Sequence, residues 1–259
     1  MSIPVMVLIL RKLCILFFLI FAGCNSLFSA SLEEGRDLFR QRKLDDAIKT
    51  LQDAKGSLPP QEKKEASLLL AKCYWTKACH YTDDSDTRFE LFGKGLEEIE
   101  TAQEEFGEEA SLCYWKAILT GERANVRFTL ESFGAAEVID DLCHRVIELD
   151  PSYENGGAYL ALGRMYYKLP KLFGGGLEKS VQYLLSAKAY MEMLPPSERT
   201  HTVYLFLAES YIALGKYEKA RVELKNGLRC RKNPDAPLED EKNYNEMKRL
   251  LHGLNARDK

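Results

Sequence analysis

Apolar residues recur along almost the whole chain at the three- to four-residue spacing of amphipathic helices, and no stretch alternates convincingly as a strand does. Near the start of this pattern, Gly35 is followed twelve residues later by Ala47 and then by Leu51. Near its end, Ala208 is followed twelve residues later by Ala220. The pattern therefore predicts an all-α chain in which one kind of helix pair is repeated.

This spacing is typical of the tetratricopeptide repeat, which has a period of about 34 residues. Small residues are needed where two antiparallel helices cross closely, and larger apolar residues fill the space between repeats. The last segment, Leu238–Leu254, places Tyr244, Met247 and Leu250 on one face, as a helix that covers the end of a repeat array requires. The sequence predicts a right-handed solenoid of tetratricopeptide-like helix pairs over residues 31–259, closed by a C-terminal capping helix.

Aromatic residues recur on the predicted first helices. Cys73-Tyr74-Trp75 is repeated as Cys113-Tyr114-Trp115 forty residues later. First helices line the concave surface of a solenoid, where ligands bind, although aromatic residues at helical spacing are more often part of a core. Two adjacent rings cannot both face the same core, so we expect one ring of each pair to face a groove. The aromatic candidates for partner binding are Tyr74, Trp75, Tyr114, Trp115, Tyr159 and Tyr167.

A glycine-rich loop separates two predicted helices, and Gly174, Gly175 and Gly176 lead directly into the helix that begins near Leu177. Consecutive amides at a helix N-terminus can bind an anion. The alternative is a loop that lets two helices cross closely. Arg164, on the preceding helix, would pair with a carboxylate of a ligand, or would be an ordinary solvated residue.

The N-terminal segment has the order of a bacterial export signal. Arg11-Lys12 precede the apolar run Leu13–Ala22, and Gly23-Cys24 follow. We expect residues 1–23 to be a signal peptide, Cys24 to be lipidated and residues 24–30 to be a tether. The alternatives are cleavage near Ala30 and an uncut anchor. Each of the three places the folded part outside the cytoplasm.

Composition and charge exclude several classes of function. The net charge is −3 and the charges are mixed, with no Lys/Arg run that would track phosphates, so nucleic-acid binding is not expected. None of the four histidines lies in a catalytic or zinc pattern. Asp83-Asp84-Ser85-Asp86 is interpreted as a helix cap, because a calcium loop would need a following glycine and a terminal glutamate. We therefore predict no enzyme, no cofactor and no metal site.

The remaining cysteines are interpreted as buried thiols. No CxxC pair occurs, and in Cys79-His80 and Cys143-His144 the neighbours point about 100° apart on a helix, which is poor geometry for a shared metal. A disulfide between Cys73 and Cys79 would be geometrically poor on one helix.

The order of the repeats resembles one family. The run Ala110–Trp115 is followed by Ile147–Gly157, which contains Pro151 and a double glycine, then by Leu162-Gly163-Arg164 and the glycine loop. Over about residues 88–220 this is similar to the T-component family, tetratricopeptide lipoproteins associated with TRAP transporters. The resemblance implies a partner of a periplasmic solute-binding protein, lipid-anchored on the periplasmic side of the bacterial envelope, in the outer membrane, and homo-oligomeric. The alternatives are a general envelope assembly scaffold and a carrier of a small hydrophobic ligand.

Overall fold

The structure is a computed structural model that describes residues 31–127, 131–230 and 237–256. The predicted signal peptide, Cys24 and the tether to residue 30 lie outside the described residues. Across the three described ranges the secondary structure consists of helices and turns, with no strand.

Eleven helices follow one another along the described ranges, and three short 3₁₀ turns, Tyr153–Asn155, Lys171–Phe173 and Pro196–Glu198, lie between them. None of the helices in these ranges combines the length and the apolar character needed to cross a membrane. The helices are α1 (residues 31–40), α2 (Leu44–Lys55), α3 (Pro60–His80), α4 (Ser85–Phe106), α5 (Ala110–Val126), α6 (Glu131–Leu149), α7 (Gly157–Lys168), α8 (Leu177–Glu192), α9 (Thr202–Ala213), α10 (Tyr217–Gly227) and α11 (Pro237–Ala256).

The chain divides into two compact units, and the boundary falls within α3, between Tyr74 and Trp75. In the first unit α1 and α2 cross closely, because a Cβ atom on Gly35 would lie 2.6 Å from Cδ2 of Leu51. Ala47 and Leu51 are completely buried. The spacing of small and large residues within this pair of helices thus corresponds to a helix crossing.

In the second unit each helix from α4 to α11 packs against the next one in the chain. Contacts also join α5 to α7, α7 to α9 and α9 to α11, so that alternate helices lie side by side. A Cβ atom on Gly163 of α7 would lie 2.5 Å from Cγ of Leu184 in α8, and Ala220 of α10 is completely buried. The small residues of the pattern therefore lie at helix crossings, as predicted.

The C-terminal helix α11 covers the last helix pair. Met247 and Leu254 are buried in the core cluster formed with α8, α9 and α10, and Leu250 packs against the same cluster. The all-α fold of helix pairs with a C-terminal capping helix is confirmed.

Candidate functional site

A groove of about 750 Å³ lies in the second unit, a volume within the range of sites that bind ligands or short segments. Its lining comes mainly from α3, α5, α7, α9 and α11, which are the first helices of successive pairs and the capping helix. Side chains with rings or charges that line it are Trp75, His80, Arg88, Tyr114, Trp115, Glu122, Glu154, Arg164, Lys168, Phe206, Glu209, Lys242 and Glu246.

One wall of the groove is a cluster of aromatic rings. The ring of Trp115 lies 6.0 Å from that of Trp75 and 5.8 Å from that of Tyr114, in edge-to-face orientation in both cases. A Cβ atom on Gly157 would lie 2.7 Å from the ring of Tyr114, so only glycine allows this approach. The second glycine of the double-glycine motif therefore helps to shape this wall.

The other predicted aromatic residues do not line the groove. Tyr74 is buried in the first unit, and its hydroxyl accepts a hydrogen bond of 3.0 Å from Nε2 of Gln52. Tyr159 stacks on Tyr190 with 5.5 Å between ring centres. Tyr167 lies beside Arg164, whose guanidinium is 5.1 Å from its ring centre. Burial raises the pKa of both Tyr159 and Tyr167, which is consistent with packed side chains.

Arg164 lines the groove, and its guanidinium already has a carboxylate partner. It donates to Glu209, which joins α7 to α9, and it lies 4.2 Å from the ring centre of Phe206. Neither sequence interpretation of Arg164 foresaw this, because Glu209 is far away in the sequence. The ion pair is partly buried, so Arg164 is part of the framework of the groove.

Lys168 lies one helical turn beyond Arg164 and also lines the groove. Desolvation lowers the pKa of the Lys168 ammonium, and the charge of Arg164 lowers it further, while Glu122 and Glu209 act in the opposite direction. Its Nζ donates to Oδ1 of Asn125 at 3.3 Å. Two cations on one helix thus share the groove.

Two further nitrogen donors in the groove are buried, and no hydrogen-bond acceptor in the described ranges reaches either. They are Nε1 of Trp75 and Nε of Arg88. The repeated triplet in the sequence identified Trp75 as a candidate. No motif or spacing identified Arg88, which lies in the first turn of α4.

The glycine loop does not line the groove and uses its own amides. The amides of Gly174, Gly175 and Gly176 donate to the carbonyl oxygens of Lys171, Pro170 and Tyr166, at 3.2, 3.2 and 3.1 Å. Gly174 has a φ of +88°, and a Cβ atom on Gly175 would lie 1.7 Å from the carbonyl oxygen of Leu169. The glycines therefore make a tight turn, and the amides predicted as an anion site are already bonded.

The acidic loop and the cysteines have local structural roles. Oδ2 of Asp84 accepts hydrogen bonds from the amide and the hydroxyl of Thr87, so Asp84 caps α4. Cys73 is a free thiol, so no disulfide joins it to Cys79.

His144 is held by the carbonyl oxygen of Asp140 and by the hydroxyl of Tyr183, at 2.8 and 3.1 Å. Within the described ranges, no group of three or more His, Cys, Asp or Glu residues is arranged to hold a metal ion.

No protein-family model and no curated protein matches the sequence. The structure is similar to that of a thermophilic tetratricopeptide-repeat protein from Thermus thermophilus, with a TM-score of 0.62 and 19% identity. The similarity covers 87% of this chain and 99% of the other. It confirms the tetratricopeptide-like fold.

Proposed function

We propose that the protein is a non-catalytic, exported lipoprotein that binds a partner protein through the groove of its second unit. The observation that carries this proposal is the position of Trp75, Tyr114 and Trp115, which form one wall of a groove lined by successive first helices. Aromatic side chains offer large contact areas with little loss of conformational entropy, and they dominate the energetics of many interfaces.

We further propose that the partner is the solute-binding component of a TRAP-type transport system. The resemblance of residues 88–220 to the T-component family supports this partner, and so do the predicted export signal and Cys24. The second glycine of the motif that contributes to the resemblance has a role at the groove, since Gly157 allows the ring of Tyr114 to approach. A protein held close to the outer membrane would present the groove to soluble periplasmic proteins.

Site-specific photocrosslinking tests this proposal. A photoreactive phenylalanine analogue at Tyr114 places the reagent in the groove, and the same analogue at Val222, exposed on α10, is the matched control. We expect a solute-binding protein to crosslink from position 114 in intact cells and not from position 222. Exclusive capture of an envelope assembly factor would favour the general scaffold. A native mass spectrum with bound lipid or apolar solute would favour the carrier.

A further inference from the structure

Two donor nitrogen atoms in the groove lining are buried without an acceptor among the described residues. Nε1 of Trp75 and Nε of Arg88 are buried, and neither has a hydrogen-bond partner within the described ranges. A buried polar group without a partner is costly, and in functional sites a bound ligand commonly supplies the missing partner. Both atoms are donors only, so a group that satisfies them must bring acceptors.

The charges that line the groove are of both signs. Arg164 pairs with Glu209, and Glu246 pairs with Arg249, with 2.7 Å between Oε2 and Nε. The lining also contains the cations Arg88, Lys168 and Lys242 and the acids Glu122 and Glu154. The lining therefore offers cations to a single negative charge, while its acids disfavour an anion of higher charge.

We infer that Trp75 and Arg88 form a subsite for a carboxylate side chain on an apolar segment of the partner protein. This inference rests on the proposed function and specifies its chemistry. A guanidinium binds a carboxylate through charge-assisted hydrogen bonds, and the indole N–H adds a further donor. The rings of Tyr114 and Trp115 stand beside the subsite and contact the apolar side chains next to the acidic residue. A dianionic phosphate fits less well, because Glu122 and Glu154 also line the groove.

The chain contains two tryptophans, and both line the groove, so intrinsic fluorescence reports directly on its occupancy. The full-length protein in detergent is titrated with the peptide Ac-Phe-Glu-Leu-NH2 and, separately, with its uncharged counterpart Ac-Phe-Gln-Leu-NH2. We expect the glutamate peptide to bind about tenfold more tightly, the difference that one charge-assisted hydrogen bond commonly makes.

Two variants test the donors one at a time. Trp75→Phe removes the indole N–H and keeps a ring, and Arg88→Gln removes the charge. Each is expected to reduce the preference for the glutamate peptide to about twofold or less. Arg123→Gln is the matched control, because Nε of Arg123 is also buried without a partner but lies against Phe89, outside the groove lining. Circular dichroism melting confirms that each variant is folded, and Trp115 still reports on binding in Trp75→Phe.

Equal affinity for the two peptides, or equal effects of Arg88→Gln and Arg123→Gln, would overturn the inference. 4-Phenylbutyrate is titrated in parallel. If it binds with the same dependence on Trp75 and Arg88 while the glutamate peptide does not bind, the subsite takes a small free carboxylate and the assignment to a partner segment is wrong. Crosslinking from Tyr114 without any peptide preference would refute this subsite alone. Peptide preference without that crosslink would refute the proposed partner and leave the subsite standing.

Discussion

Nδ1 of His201 lies 2.8 Å from the carbonyl oxygen of Gly227, and this completely buried imidazole joins the start of α9 to the end of α10. Its other nitrogen, Nε2, lies 3.5 Å from Oδ2 of Asp240 in the capping helix α11, and the Asp240 side chain is also buried. One side chain thus connects three consecutive elements at the C-terminal end of the second unit.

Replacing His201 with alanine should destabilise the protein. The substitution removes the hydrogen bond to the carbonyl oxygen of Gly227 and leaves a cavity at a completely buried position. We expect a loss of about 2 kcal/mol or more in the free energy of unfolding, measured by denaturant or thermal melting. His252→Ala is the control, because His252 is exposed on α11. Equal melting temperatures of the two variants would show that the buried contact contributes nothing.

Gly163→Ala and Gly253→Ala should change stability in opposite directions. Both glycines lie within helices. A Cβ atom on Gly163 would lie 2.5 Å from Leu184, so the α7–α8 crossing must widen, at a cost of about 1–3 kcal/mol. Nothing lies within 4 Å of a Cβ atom on Gly253, so alanine should stabilise the helix by about 0.5–1 kcal/mol. Chemical denaturation measures both, and stabilisation by Gly163→Ala would mean that the crossing is wrongly placed.

Asp84 should stabilise α4 in a pH-dependent way. Hydrogen bonds from the Thr87 hydroxyl and amide lower the pKa of the Asp84 carboxyl in the folded protein. A carboxyl whose pKa is lower in the folded than in the unfolded state contributes stability above the unfolded value, about 3.9, and loses it as the pH falls through the folded value. Asp84→Ala should therefore melt below the wild type at pH 7, and the two curves should converge in acid. Asp83→Ala, next to the cap and exposed, should show no such convergence.

Cys24→Ala should abolish membrane anchoring. If Cys24 carries the lipid, the wild type enters the detergent phase of a Triton X-114 separation, and the variant is either unprocessed or found in the aqueous phase. Mass spectrometry of the N-terminal peptide identifies the acyl chains directly. A variant of mature size that still enters the detergent phase would refute lipidation at this residue.

The helix pairs could be predicted from the sequence because their determinants are local. Gly35, Ala47 and Ala220 lie at helix crossings or in fully buried positions, as the twelve-residue spacing indicated. The repeated triplets also placed Trp75 and Trp115 on first helices, and the structure puts both in the groove. Periodicity captures such positions because each depends on contacts within one pair or between neighbouring pairs.

The rest of the groove depends on contacts between distant segments. Phe206 and Glu209 lie on α9, where buried apolar residues occur on nearly every side, so the sequence shows no distinct face for them. The ion pair between Arg164 and Glu209 could therefore not be predicted from the sequence. The double glycine stands out in the sequence. The reason for two glycines is that the side chains of Tyr114 and Tyr190, from other helices, pack directly against them, and the sequence does not show these contacts. The glycine loop was correctly located, while the bonding of its amides depends on a turn that the sequence does not specify.

The thiols of Cys73 and Cys143 are completely buried, and burial raises the pKa of each to about 12. At neutral pH both thiols are therefore protonated, whereas the thiolate is the form that attacks a disulfide or reacts with an oxidant. Burial therefore protects these two positions of the folded protein from disulfide exchange and oxidation. Because unfolding is needed to expose these two sulfur atoms, the rate at which they are alkylated in the purified protein would measure how often the protein unfolds around them.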